Sequence, residues 1–186
     1  MGDSPIERVE NGLKKFTIQD IDKEPSEIAS GWTSLFDPYT PDFNGSSFLV
    51  ASYFVFSLRI DKKSVPAKVL KKQYAIEEKK RLVESGREFL SKNEKKQLKE
   101  EIKNFLLTRM PPVPHVFDLI WDYEKSLLCF YSTQKAANEE IESLFLKSFN
   151  ISLVKLFPFT LADFESDLSD PEKDVLLKLK PSVFME

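Results

Sequence analysis

The chain has one cysteine and one histidine in 186 residues. A single cysteine excludes an internal disulfide and fits a reducing cytoplasm. Five glycines leave little material for phosphate-binding loops. Indeed no Walker loop, GxGxxG or GxSxG motif occurs. No apolar run reaches the roughly 18–20 residues that a bilayer-spanning helix needs, and the N-terminus shows no signal-peptide h-region. What is abundant is phenylalanine, with 16, and charge of mixed sign at 31% of residues. A 41% hydrophobic content at this length predicts a globular chain with a sizeable core.

Charge is unevenly placed. Residues 59–110 hold 16 Lys+Arg against 8 Asp+Glu, a net +8 inside a chain of net −3. The other 134 residues carry 11 basic against 22 acidic side chains. A positive segment on a negative body suits a polyanion such as DNA or RNA.

Hydrophobic spacing predicts a helix over Pro5–Lys15, a brief strand at Phe16–Ile18 and loop from Asp20 to Ser30. A strand is predicted over Gly31–Phe36, and the strongest strand signal covers Phe48–Ile60, with Phe54, Phe56, Leu58 and Ile60 on one face. Two basic helices follow. The first runs from near Ser64, with Pro66 in its first turn, to about Glu84, with Gly86 as its stop. The second opens on the capping box Ser91–Glu94 and buries Leu98, Ile102, Phe105 and Leu106. A hairpin of Val116–Trp121 and Leu127–Tyr131, a helix over Gln134–Ser148 capped by Thr133, and a strand at Ile151–Phe157 complete a β-β-α-β unit. A last helix is predicted at Pro171–Leu179. The fold class is α+β, an antiparallel sheet with helices packed on a face. Residues 1–162 read as one domain and 163–186 as an acidic C-terminal appendage.

No catalytic constellation is visible. With the hairpin turning over residues 123–126, Cys129 lies opposite Ile120 and roughly 17 Å from His115. That excludes a Cys–His dyad and makes Cys129 a buried apolar residue. Alternation puts Asp118 and Asp122 on one face about 13 Å apart, too far to share one ion. No metal or cofactor is therefore expected. On the second basic helix, Lys92, Lys96, Lys99 and Lys103 fall within a sector about 60° wide. Lys68, Lys72 and Lys79 similarly share one side of the first. Aligned ammonium groups can track phosphates, although lysine stems over apolar surface are also common on solvated helices.

Several short motifs recur in order: Gly31-Trp32, Ser57-Leu-Arg-Ile-Asp61, Val65-Pro-Ala-Lys-Val-Leu70, Glu94-Lys-Lys-Gln-Leu-Lys99, Leu106-Leu-Thr-Arg109, Ser132-Thr-Gln-Lys-Ala136 and Leu153–Leu161. In this order and spacing, over about residues 11–162, the chain resembles the recombination-associated RdgC family, and most of all its short bacterial members. The resemblance implies a bacterial protein of the cytoplasm and nucleoid that coats double-stranded DNA without sequence preference and restrains recombinase-driven strand exchange. Longer relatives form ring-shaped dimers around DNA, and the family also carries an exonuclease label. Under the resemblance, Lys92, Lys95, Lys96 and Lys99 correspond to the family's basic helix, and Arg109 to the arginine after its Leu-Leu pair. The segment Thr108–Pro112 departs from the Leu-Leu-Pro-Arg-Ala-Phe form of longer members.

The expected function is non-catalytic, sequence-independent DNA binding in recombination or replication. Its candidate contacts are Lys68, Lys72, Lys79, Lys92, Lys95, Lys96, Lys99, Lys103 and Arg109. A recombinase and a second copy of the chain are the further partners expected, and no membrane is. The alternatives are a Mg²⁺-dependent exonuclease and a protein-interaction module without physiological DNA binding.

Overall fold

The structure, a computed structural model, describes residues 4–165 and 168–179. The chain divides into two compact units, Met1–Asn150 and Ile151–Glu186. Among the described residues, no helix is long and apolar enough to cross a membrane.

The first unit is α+β. Its elements are α1 (Pro5–Lys15), β1 (Ile28–Thr33), β2 (Leu49–Val50), β3 (Tyr53–Lys62), α2 (Ala67–Ser85), α3 (Lys92–Leu107), β4 (Val113–Asp122), β5 (Leu127–Phe130) and α4 (Lys135–Phe149). The five strands form one antiparallel sheet in the order β1-β3-β4-β5, with β2 also paired to β3. Strand β3 is central because its residues Phe54 to Leu58 can be buried throughout. In register with it, Trp32 lies opposite Leu58, Leu119 opposite Phe56 and Trp121 opposite Phe54. These residues form one apolar face. Onto it α4 lays Ile141, Leu144, Phe145 and Phe149, all buried.

Aromatic edges and faces set the fit. The Trp32 ring meets Phe56 edge-on at 5.1 Å, and Trp121 meets Phe145 at 4.8 Å. The Trp32 indole N–H donates to Ser148 Oγ at 2.7 Å, so the buried ring leaves no unpaired donor. Two glycines permit the close approaches around this cluster. A Cβ at Gly12 would lie 2.5 Å from the Phe149 ring, where α1 crosses α4. A Cβ at Gly31 would lie 2.5 Å from Ile18 Cα and N. There residues 16–18 run beside β1, with Ile18 N–H donating to Trp32 O and Trp32 N–H to Phe16 O. The strand predicted at Phe16–Ile18 thus amounts to one parallel bridge, Thr17 to Trp32.

The other face of β3 is polar and still largely covered. Asp61 is fully buried and takes two bonds from Arg59, at 2.7 and 2.6 Å. Ser57, also fully buried, donates to Asp118. Just beyond β3, the Lys63 ammonium is buried and donates to three carbonyls: Asp22 at 2.8 Å, Glu24 at 3.0 Å and Leu107 at 2.9 Å. It joins the 20–24 loop, the end of β3 and the C-terminus of α3.

Helices α2 and α3 form a hairpin with a core of its own. Leu90, Leu98, Ile102 and Leu106 pack with Val65, Leu70, Tyr74 and Leu82. Pro66 is the N-cap of α2, and Gly86 ends it in the left-handed region at φ 64°. The α3 capping box is present as predicted. Hydrogen bonds from Arg87 and then from Ser91 pull the Glu94 carboxyl down to about 2, so the cap is charge-assisted at neutral pH.

Five expectations are corrected, the first being the single strand over Phe48–Ile60, which splits into β2 and β3 about a turn at residues 51–52, where Ala51 has φ 54°. Phe105 is 46% exposed, because Leu107 on the far side of α3 is the residue taken into the body. Gln134, not Thr133, is the N-cap of α4, and it makes no side-chain cap bond. Cys129 is exposed, on the edge strand β5. Residues 151–157 form no strand: their extended pattern finds no ladder partner among the described residues. They open the second unit, which continues into α5 (Pro158–Glu165) and α6 (Asp170–Lys178). Of the acidic appendage read from the sequence, residues 166–167 and 180–186 lie outside the described residues.

Two stability outcomes follow from this packing. Gly31→Ala should cost about 2 kcal/mol or more, because the obstruction is backbone that cannot rotate away. Lys63→Met should cost about 3 kcal/mol, since three carbonyls, that of Leu107 buried, lose a charged donor. Urea unfolding midpoints check both, and an unshifted midpoint for either variant would refute the corresponding contact.

Candidate nucleic-acid interface

The basic segment does not reach solvent as one block. Arg59 and Lys63 point into the protein, on Asp61 and on three carbonyls. Arg81 and Arg87 are held by Glu101 and Glu94. The residues left to meet a ligand are mainly the lysines of the hairpin.

On α3 the buried side is marked by Leu98, Ile102 and Leu106. Lys92, Lys96, Lys99 and Lys103 lie about 60–120° round from Ile102. Lys92, Lys96 and Lys99 are exposed and enter no ion pair among the described residues. Lys103, at the end nearer the body, donates to Glu27 at 2.6 Å, which raises its pKa. Lys95 is turned toward α2, 3.4 Å from Glu78. From Lys92 to Lys99 the free row runs about 10 Å along the axis. Duplex DNA presents a phosphate about every 3.4 Å per strand, so the row can follow consecutive phosphates. Asn93, Gln97, Glu100 and Asn104 line a shallow groove that Lys96 also borders.

On α2, Lys68, Lys72 and Lys79 fall within about 40° of one another. All three are exposed and unpaired among the described residues. The two interhelix ion pairs orient the rows. The Lys95–Glu78 pair marks one side of the hairpin and Arg81–Glu101 the other. By helical rotation, the α3 row lies beyond Lys95 and the α2 row beyond Glu78. Both rows therefore turn to the same side, with the Lys95–Glu78 pair in the seam between them.

Arg109 stands apart from these rows. Its guanidinium lies 4.0 Å from the Phe105 ring centroid, a cation–π contact on another side of α3. Of the nine candidate residues, six are free lysines in two rows, two are lysines neutralised by Glu27 and Glu78, and one is a stacked arginine. Sequence reasoning missed the inward roles of Arg59 and Lys63. The first was readable in principle, since alternation along β3 puts Arg59 and Asp61 on one face two residues apart.

The carboxylates of the β4–β5 hairpin have local duties. Asp118 accepts from Ser57, and Asp122 accepts from the Lys125 N–H in the turn. Cys129 is opposite Ile120, as the hairpin register requires, and His115 is opposite Ile60 across β3 and β4. Among the described residues, no three His, Cys, Asp or Glu side chains gather as a metal site would need.

Comparison with protein families matches residues 3–167 to the model described as "Putative exonuclease, RdgC". Among curated proteins none matches the chain. The family match is consistent with a recombination-associated role. It spans the sheet, the basic hairpin and α4, and the chain belongs to the RdgC family.

Proposed function

We propose that this protein binds duplex DNA through the lysine-bearing side of the α2–α3 hairpin, without sequence preference and without catalysis, in bacterial recombination or replication. The observation that carries the reading is the placement of two rows of lysines, unpaired among the described residues, on one side of a single hairpin. Lysine contacts to phosphate position a protein on DNA and read no bases. The acidic remainder of the chain limits indiscriminate adhesion to polyanions. The nucleoid is the corresponding location, with a recombinase as a competing or associated partner. The family's description favours a second reading, an exonuclease. Incubation of end-labelled duplex with Mg²⁺ or Mn²⁺ separates the two, and no released nucleotide is expected.

Anisotropy of a labelled duplex at roughly 50, 100 and 200 mM salt should give a log–log slope of several units. The double variant Lys96→Glu/Lys99→Glu should weaken binding at least about tenfold at the lowest salt and flatten the slope by about two. Its circular dichroism should be unchanged, because both side chains are exposed. Undiminished binding would sink the assignment of the row. The converse change is Glu78→Gln, which releases Lys95 in the seam. It should tighten binding a few-fold and steepen the slope by nearly one unit. An unaltered slope would mean that DNA does not lie across the seam.

A further inference from the structure

Helix α2 packs on α3 along one side, through Leu70, Tyr74 and Leu82. None of its 19 residues is fully buried. Its opposite side is not uniformly polar, as a solvated face would be. Val69, Ile76 and Val83 stand there 38%, 49% and 75% exposed. They occur at i, i+7 and i+14, so they form a line with a rise of about 10 Å between neighbours. Lys68, Lys72 and Lys79 flank the line on one margin and Lys80 on the other. Within this sector, about 120° wide, α2 carries no acidic residue. None of the four lysines enters an ion pair among the described residues.

Apolar residues at heptad spacing can seat one row of the apolar side chains of a partner helix. Phosphates make no use of them, so the DNA reading does not account for the line. Charge then selects the occupant. The same face on a second copy would set eight lysines against one another, whereas a helix with carboxylates flanking its apolar seam would pair with all four.

We infer that the outer face of α2 is a docking site for an acidic amphipathic helix of a partner protein, with apolar side chains at heptad spacing and Asp or Glu on both flanks. The inference goes beyond the DNA reading and does not rest on it. The site would give the hairpin two working surfaces, with lysines 68, 72 and 79 on their common border.

The test titrates the full chain into a fluorescein-labelled three-heptad peptide with Leu at a and d and Glu at e and g. Repulsion among the Glu residues keeps this peptide from pairing with itself. A charge-matched peptide with Ser for Leu is the control. The expected result is a Kd of about 1–100 µM for the Leu peptide, and at least about tenfold weaker binding of the Ser peptide. The variant Ile76→Ser/Val83→Ser should lose a similar factor while keeping its helical circular dichroism and its duplex affinity. Equal binding of both peptides would reduce the contact to electrostatics and overturn the proposal. No binding at about 1 mM would do the same. So would a concentration-dependent dimer that Ile76→Ser/Val83→Ser abolishes, which assigns the face to a second copy. Preference for anionic phospholipid vesicles over the Leu peptide would assign it to a membrane surface instead.

Discussion

The buried ammonium of Lys63 is the contact on which the placement of the basic hairpin depends. A charge taken out of water is tolerated only when its donors are satisfied. Here three carbonyls satisfy all three, and each comes from a different part of the chain or a different turn of it. Two belong to the loop before β1 and one to the last residue of α3. The same lysine immediately follows the central strand. Because α2 begins four residues later and α3 ends at the Leu107 carbonyl, both legs of the hairpin are tied at the base to the sheet. The bond to Leu107 also sets a cation at a helix C-terminus, where the helix dipole favours it.

Beyond that base the hairpin stands on its own small core, separate from the aromatic cluster under the sheet. Two helices that pack only on each other leave most of their circumference to solvent. Polar side chains then occupy that surface unless function asks otherwise. The observed surface is neither neutral nor balanced: lysine rows turn to one side, a valine–isoleucine line lies opposite the packed side of α2, and ion pairs close the seam on both sides. A projection with distinct faces is a suitable platform for contacts of different chemistry. Such a platform does not require the sheet to change.

The net charge of +8 over residues 59–110 is a poor guide to the field that a ligand would meet. Arg59 and Lys63 spend their charge inside the protein, and four further cations are paired with glutamates of the hairpin or, for Lys103, with Glu27. Removing these from the count shrinks the basic surface but sharpens it. What remains is ordered along two helices instead of being spread over a segment. Salt dependence should reflect that smaller, ordered set.

Local signals determined much of this protein from sequence alone. The capping box at Ser91, the glycine after Ser85, the double proline after α3 and the alternation along Tyr53–Ile60 all act within a few residues, and each gave its element. Helical spacing likewise grouped Lys92, Lys96 and Lys99, because angle round a helix depends on residue number only. Tertiary structure decided what spacing cannot carry. Whether Lys103 and Lys95 are free depends on Glu27 and Glu78, which lie far along the chain. Whether Cys129 is buried depends on what packs over its face of β5, and whether Ile151–Phe157 becomes a strand depends on a partner for its backbone. The requirement for glycine at 31 appears only where Ile18 passes over it. In each case the deciding energy is a contact between residues distant in sequence, and no local pattern contains it.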